Sequence, residues 1–387
     1  MNKMIISEQL EELKRNDLFR EIKTATFLDA NKMKVQGKEV TLFCNNDYLG
    51  LSQHPKVKEA FIKAAEHYGV GAGAARLISG STEAHKKLEE ALARLKQKEK
   101  AVVFSSGYLA NVGVLSSIAT SEDLIVMDKL CHASLIDGAK LSEADFRVFP
   151  HLNYDRCEAL LKIKRNEYKN IFLVTESIFS MDGDQADLEK LIEIKKKFKA
   201  VLIVDDAHGT GVLGKRGTGA HEGIIQAKEI DLIVGTLSKA LGCLGGYVAG
   251  SEEWISFFVN RARSFIFATA LPSAVCAAAL QAIKILLEDN SLKKTLWENA
   301  NHLHQGLKKR HFDVPALESA IIPIIVGSEK KALKMMELLF SAGYWVPAIR
   351  YPTVAKNKAR LRVTVNALHK AGQIDDILAV FDKIKNV

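Results

Sequence analysis

The sequence predicts an α/β fold, a large domain on a mostly parallel sheet covered by helices on both faces, followed by a smaller two-layer α+β domain. Short, wholly apolar runs recur at 101–104 (AVVF), 124–127 (LIVM), 171–174 (IFLV), 201–204 (VLIV), 232–234 (LIV) and 247–249 (YVA), with helical segments between them. Strands buried on both faces read as such runs, whereas half-buried strands alternate. Beyond Leu271-Pro272-Ser273 that rhythm gives way to a long helical region and then mixed strands and helices. At 387 residues the chain also exceeds the size at which one core keeps growing, so two units are expected. The expected division is 1–45 as an N-terminal helix and strand segment, 46–290 as the large domain and 291–387 as the small one.

Along the chain, Ile6, Leu10, Leu13 and Leu18 stand at near-helical spacing and predict an amphipathic helix over 5–20 that ends near Arg20. A strand pair around Lys34 and 41–43 follows. The stretch CNNDYLGLSQHP is turn-forming, with Pro55 placed to open the next helix. GVGAGAARLISG is too rich in glycine and alanine for a surface element and reads as backbone passing close to something. A helix over 83–98 carries Leu88, Ala91, Leu92 and Leu95 on one face. In the C-terminal part the expected elements are a strand at 321–326, a helix at 330–342, strands at 344–349 and 359–365, and a last helix to Lys385.

Composition removes several classes. No run approaches the roughly 18 apolar residues of a membrane helix, and the N-terminus turns acidic and amphipathic where a signal peptide needs an apolar stretch. A cytoplasmic protein is expected. Cys44, Cys131, Cys157, Cys243 and Cys276 are odd in number and scattered, with no CxxC pair, so neither a disulfide framework nor a metal site is expected. The formal charge of +8 favours an acidic partner, whether nucleic acid, the phosphates of coenzyme A or an acidic carrier protein, and charge alone does not choose among them.

The residues after the apolar runs carry the chemistry. Ser105-Ser106-Gly107, Asp128, Thr175-Glu176, Asp205-Asp206-Ala207-His208 and Thr236-Leu237-Ser238-Lys239 all fall at strand carboxyl ends, the edge where open α/β sheets bind ligands. Lys239 is hemmed in by Gly235, Gly242, Gly245, Gly246 and Gly250. Partial desolvation or a neighbouring cation lowers an amine's pKa enough for Schiff-base chemistry. A phosphate-bearing aldehyde would use the other strand ends, and pyridoxal 5'-phosphate fits. Asp205 suits the ring nitrogen, His208 the phenolic oxygen and His132 the ring face, while the helix opening at Gly107-Tyr108 and the Thr236 hydroxyl suit the phosphate. Each residue also has an ordinary reading as a turn, cap or surface group; their gathering on one sheet edge favours the site.

The sequence resembles the α-oxoamine synthases through NNDYLGLSQHP, GAARLISGSTEAHKKLEEALA, SSGYLAN, HASLIDG, TESIFSMDGDQADL, VDDAHGTGVLG, GTLSKALG and RLRVTVNALH, which together cover nearly the whole chain. The resemblance implies an aspartate-aminotransferase-like fold (fold type I) and pyridoxal-phosphate chemistry that joins an amino acid to an acyl thioester with loss of CO2. It assigns Lys239 as the Schiff-base lysine, Asp205 to the ring nitrogen, His208 and Ser180 to cofactor contacts and His132 to ring stacking. Gly107, Tyr108 and Thr236 go to the phosphate, Arg362 to the amino-acid carboxylate, and Thr269 to the phosphate of a partner subunit in a homodimer. Within the family, AIRYPTVAKNKARLRVT is similar to the AIR-x-PTV-x(5)-RLR pattern of members that use L-alanine and a pimeloyl thioester, carried by coenzyme A or by acyl carrier protein. In those members Arg20 and Thr353 match substrate contacts. Ala75 and Cys131 depart from the family's usual Ser and Asn. A glycine-using member such as 2-amino-3-oxobutyrate CoA ligase, an autoinducer synthase with a longer acyl donor, and a basic nucleic-acid binder that has lost the chemistry remain as alternatives.

Overall fold

In the computed structural model, which describes residues 3–16 and 18–385, the chain opens with a helix over Lys3–Arg15. Three strands follow, β1 (Ala25–Asp29), β2 (Lys32–Val35) and β3 (Lys38–Leu42), as an antiparallel meander. The helix stops five residues short of Arg20: the N–H groups of Leu18 and Phe19 both turn back to Leu13 O. Asn16, a residue type whose side chain competes with the helix backbone for hydrogen bonds, favours the early stop. β1 was not anticipated, because its ATFLD sequence lies largely exposed and lacks the alternation of a half-buried strand.

The main sheet contains β4 (Lys100–Phe104), β5 (Leu124–Asp128), β6 (Asp145–Phe149), β7 (Ile171–Glu176), β8 (Val201–Asp205), β9 (Leu232–Thr236) and β10 (Gly246–Gly250), in the order β4-β10-β9-β8-β7-β5-β6. Pairs from β9 through β6 are parallel, while β10 runs antiparallel to both its neighbours. The apolar runs explain the burial. Ile125, Met127, Phe172, Val174 and Ile203 point to one face, into a cluster with Val114 and Leu115 of the helix Gly107–Ile118. Their chain neighbours Leu124, Val126, Ile171, Leu173 and Leu202 point to the other, against Leu191 and Ile194 of the helix Leu188–Phe198. β6, DFRVF, is one of the two edge strands; its polar, largely exposed face hid it from an apolar-run reading.

A third sheet joins β11 (Ile321–Gly327), β13 (Ala348–Ile349) and β14 (Ala359–Thr364), while β12 (Tyr344–Trp345) adds to β3 instead. The expected continuous strand at 344–349 is therefore two short ones in different sheets, divided at Val346-Pro347, where proline has no N–H to give a ladder. No helix among the described residues is long and apolar enough to cross a membrane.

Behind the carboxyl edge of the main sheet, the fully buried Lys96 ammonium ends the helix Glu83–Lys96. It donates to Asp206 Oδ2 and to Thr210 Oγ1, both at 2.7 Å, and so braces the turn that follows β8. Burial opposes both charges, but their attraction outweighs it, raising the lysine's pKa and lowering the aspartate's. Removing one partner strands the other in the interior. Lys96→Met is expected to lower unfolding stability by about 3 to 5 kcal/mol in urea denaturation; a change below about 1 kcal/mol, the scale of a solvated pair, would contradict this role.

Candidate active site

The lysine sits where β9 ends in a tight, hydrogen-bonded turn. Leu237 N donates to Gly245 O (2.9 Å), Gly242 N to Lys239 O (2.8 Å), and Cys243 N to Leu237 O (2.8 Å). Thr236 Oγ1 accepts from Ser238 N (3.1 Å) and donates to Gly245 O (2.9 Å). Gly242 has φ 66° and packs so closely that a Cβ there would lie 2.2 Å from Ser52 N. This turn presents the half-buried Lys239 to a cavity of about 280 Å³ at the carboxyl edge of the sheet.

Asp205, Glu176, His132, His208, Thr236, Gly107 and Tyr108 line the same cavity. Asp205, ending β8, accepts from Asn111 Nδ2 (2.7 Å) and from Ala207 N (2.9 Å). Asn111 Nδ2 also donates to Ser134 Oγ (2.9 Å), which lies 2.7 Å from His132 Nδ1. A polar chain thus runs from the carboxylate to the imidazole. His132 is both a helix cap, accepting from Ser134 N, and a cavity residue, so its ordinary reading and its functional one hold together. Asn111 and Ser134 were missed as site residues, although SSGYLAN and HASLIDG contain them. The available signal was that Asn111 stands four residues after Gly107, on the same helix face.

Electrostatics bias each group. Burial, followed by the charges of Lys239 and Arg362, holds His208 well below the usual imidazole range, so the ring is neutral. Its Nδ1 is 2.8 Å from the buried Tyr48 hydroxyl, which leaves Nε2 for the cavity. Burial, then the Asp205 charge, pushes the Glu176 carboxyl well above its ordinary value, while its Oε1 accepts from His132 N (2.5 Å). Glu176 was noted only as a strand-end residue, and its burial was not legible. Burial also lowers the Lys239 pKa, with Asp205 and Glu176 opposing and the Arg362 cation assisting.

At the other end of the cavity the helix Gly107–Ile118 begins, capped by Ser106, whose Oγ accepts from Leu109 N (3.2 Å). The first-turn N–H groups, the helix dipole and the Thr236 hydroxyl make an anion cradle. A Cβ on Gly107 would stand 3.2 Å from Thr236 Cβ and would narrow it. A carboxylate, a neutral imidazole, an amine and an anion cradle around one cavity match the ring nitrogen, phenolic oxygen, aldehyde and phosphate of pyridoxal phosphate in kind. The residues present fit that group.

Other expected residues lie apart. Ser180 and Thr353 line a second cavity of about 500 Å³, with Phe179, Met181 and Arg360. Buried Arg362 on β14 donates from Nε to Ser180 O (2.6 Å) and from Nη2 to Asn46 Oδ1 (3.4 Å). Arg20 is exposed beyond the first helix and lines neither cavity, and Thr269 is exposed, its carbonyl accepting from Ser105 Oγ (2.9 Å). In the glycine-rich stretch, Gly80 alone meets the expectation of close passage, as a Cβ there would lie 2.2 Å from Ala74 O, whereas Gly69, Gly71 and Gly73 face open space.

Residues 38–381 match the family model for class I and II aminotransferases, and the chain belongs to that family. It is 42% identical over 379 residues to the 8-amino-7-oxononanoate synthase of Thermoanaerobacter pseudethanolicus, covering 98% of this chain and 96% of that one. Identity to the synthase of Geobacter sulfurreducens is also 42%, over 381 residues, at 98% and 97% coverage. Among solved structures, the Sphingomonas wittichii serine palmitoyltransferase superposes with a TM-score of 0.93 at 30% identity, covering 99% and 97% of the two chains. An 8-amino-7-oxononanoate synthase from Francisella tularensis gives 0.76 at 30% identity, covering 90% and 98%. The fold is fold type I, with the mostly parallel main sheet at its centre.

Asp205→Asn removes the charge that would keep a ring nitrogen protonated. The variant is expected to retain pyridoxal phosphate but to exchange the α-proton of L-alanine at least about tenfold more slowly, a loss of roughly 1.4 kcal/mol. Exchange at the wild-type rate, followed by NMR in D2O, would show that another acid serves the ring.

Proposed function

We propose that this chain catalyses the decarboxylative condensation of L-alanine with a pimeloyl thioester, yielding 8-amino-7-oxononanoate, CO2 and the free thiol carrier, a reaction of biotin biosynthesis. The observation that carries the reading is the convergence of Lys239, Asp205, His208 and the Gly107 cradle on one cavity. The relatives of 40% identity and above named for that synthase select it from the wider family. The serine palmitoyltransferase structures share the fold at about 30% identity, so shape alone does not make this choice.

Pyridoxal 5'-phosphate is the cofactor, and when bound it supplies an electron sink for negative charge at the substrate α-carbon. Lys239 Nζ would hold the aldehyde and could then take up the α-proton, helped by a pKa that burial has lowered. Asp205 would keep a proton at the ring nitrogen, and the Asn111 and Ala207 donors keep its carboxylate oriented. Neutral His208 would offer Nε2 to the phenolic oxygen, and His132 would lie against the ring. The Gly107 and Tyr108 N–H groups and the Thr236 hydroxyl would hold the phosphate. Arg362 would bind the amino-acid carboxylate and Thr353 the acyl donor from the neighbouring cavity; Ser180, expected at the cofactor, lines that neighbouring cavity instead. Arg20 completes the donor's binding site on this reading.

The active unit is a homodimer in this reading, in the cytoplasm, with no nucleic acid bound. Val70 and Ile78 are 91% and 80% exposed, and they flank Gly71 and Gly73, where an added Cβ would meet nothing within 4 Å beyond its chain neighbours. On this reading a second copy would cover these apolar groups, and exposed Thr269 would be free to serve the partner's phosphate. Mass spectrometry of the product from L-alanine and pimeloyl thioester is the direct test, and 8-amino-7-oxononanoate is expected. Glycine should react at least about tenfold less efficiently, the worth of one buried methyl; preference for glycine with an acetyl thioester would overturn the substrate choice.

A further inference from the structure

Outside the cofactor cavity, one imidazole is held between two carboxylates. His151, in the loop after β6, places Nδ1 2.9 Å from Asp128 Oδ1 and Nε2 2.9 Å from Asp184 Oδ2. Both nitrogens donate only when the ring carries both protons, so this geometry selects the imidazolium. Burial works against that charge, but the hydrogen bonds to Asp128 and Asp184 outweigh it and raise the pKa to about 10. The ring also stands edge-on to Phe179, with centroids 4.5 Å apart.

Each carboxylate belongs to a segment of the proposed site. Asp128 ends β5, and its oxygens accept from Leu130 N and Leu152 N, both at 2.8 Å. It thereby shapes the turn that delivers His132 two residues after Leu130. Asp184 closes a turn in which Phe179 N donates to Asp184 O (3.0 Å) and Gly183 N to Phe179 O (2.8 Å). That turn carries Ser180, whose carbonyl takes the Arg362 Nε–H at 2.6 Å, and Asp182, which pairs with Arg360. Ser319 Oγ donates to Gly183 O at 2.7 Å and ties the turn to the C-terminal sheet.

We infer that His151 is a positioning residue, a cationic clip joining the His132 turn to the 179–184 turn and so fixing, through Ser180 O, the direction in which Arg362 presents its guanidinium to the amino-acid carboxylate. The inference rests on the reading of Arg362 as the carboxylate partner. Neutralising the clip leaves Asp128 and Asp184 facing one another across the gap, and their repulsion moves the 179–184 turn, whose Asp184 is the more exposed of the two carboxylates. Arg362 then loses alignment, while the cofactor contacts at Asp205, His208 and Gly107 stay in place.

The test compares binding of L-alanine with that of L-alaninamide, which lacks the carboxylate, by spectral titration of the pyridoxal-phosphate-loaded protein. Cofactor retention and the apo-protein Tm are followed alongside. His151→Gln is expected to lower the preference for L-alanine over the amide by about tenfold, the scale of a misaligned contact, with cofactor retention unchanged. Equal weakening of both ligands would mark a merely structural role and overturn the inference, as would an unchanged preference. If His151→Gln fails to fold, Asp184→Asn, which removes the charge at the loop end of the clip, is held to the same criterion. Arg362→Ala serves as the reference. A lost preference there with an intact one in His151→Gln defeats the clip alone, whereas an intact preference in Arg362→Ala defeats the assignment of Arg362 and the clip with it.

Discussion

The structure depends on holding an amine and two carboxyl groups at one edge of one sheet. β7, β8 and β9 run parallel in adjacent positions, so Glu176, Asp205 and the turn to Lys239 arrive together at the same edge. Burial penalises charge at Glu176, Lys239 and His208, pushing the Glu176 carboxyl well above its ordinary value and holding the Lys239 amine and the His208 imidazole below theirs. A charged cofactor entering this cavity meets partners already oriented by Asn111, Tyr48 and the Thr236 turn, so little reorganisation is left for the reaction itself.

The C-terminal sheet acts on the cofactor cavity through Arg362. Arg362 on β14 crosses to Ser180 O and Asn46 Oδ1, and its charge is felt at Lys239, His208 and Tyr48. It is thus an electrostatic member of the cofactor cavity while standing beside the second cavity. The buried Lys96 and Asp206 pair performs the complementary task from behind, bracing the residues directly after Asp205. Site and scaffold are connected through charge as much as through packing.

Much of this was legible in the sequence where burial is complete on both faces. The runs at 101–104, 124–127, 171–174, 201–204 and 232–234 each became a strand of the main sheet, and Ser106, His132, Glu176, Asp205, His208, Thr236 and Lys239, which follow them, line the cavity. Legibility failed where burial is one-sided or absent: β1 and β6 are exposed strands, and the first helix ends at Arg15 because local turn chemistry at Asn16 outcompetes the apolar spacing that continues to Leu18. Asn111 and Ser134 were hidden for a different reason. They act by touching one another and Asp205 across elements distant in the chain, and no local pattern records such a contact. The same holds for Tyr48, 160 residues from His208.

The central claim is that Lys239 is the covalent anchor of the site. Borohydride reduction of the pyridoxal-phosphate-loaded protein, followed by digestion and peptide mass mapping, tests it most directly. The account predicts a reduced pyridoxyl adduct on the peptide that carries Lys239. An adduct confined to any other lysine, or a protein that binds the cofactor and yields none, would contradict it.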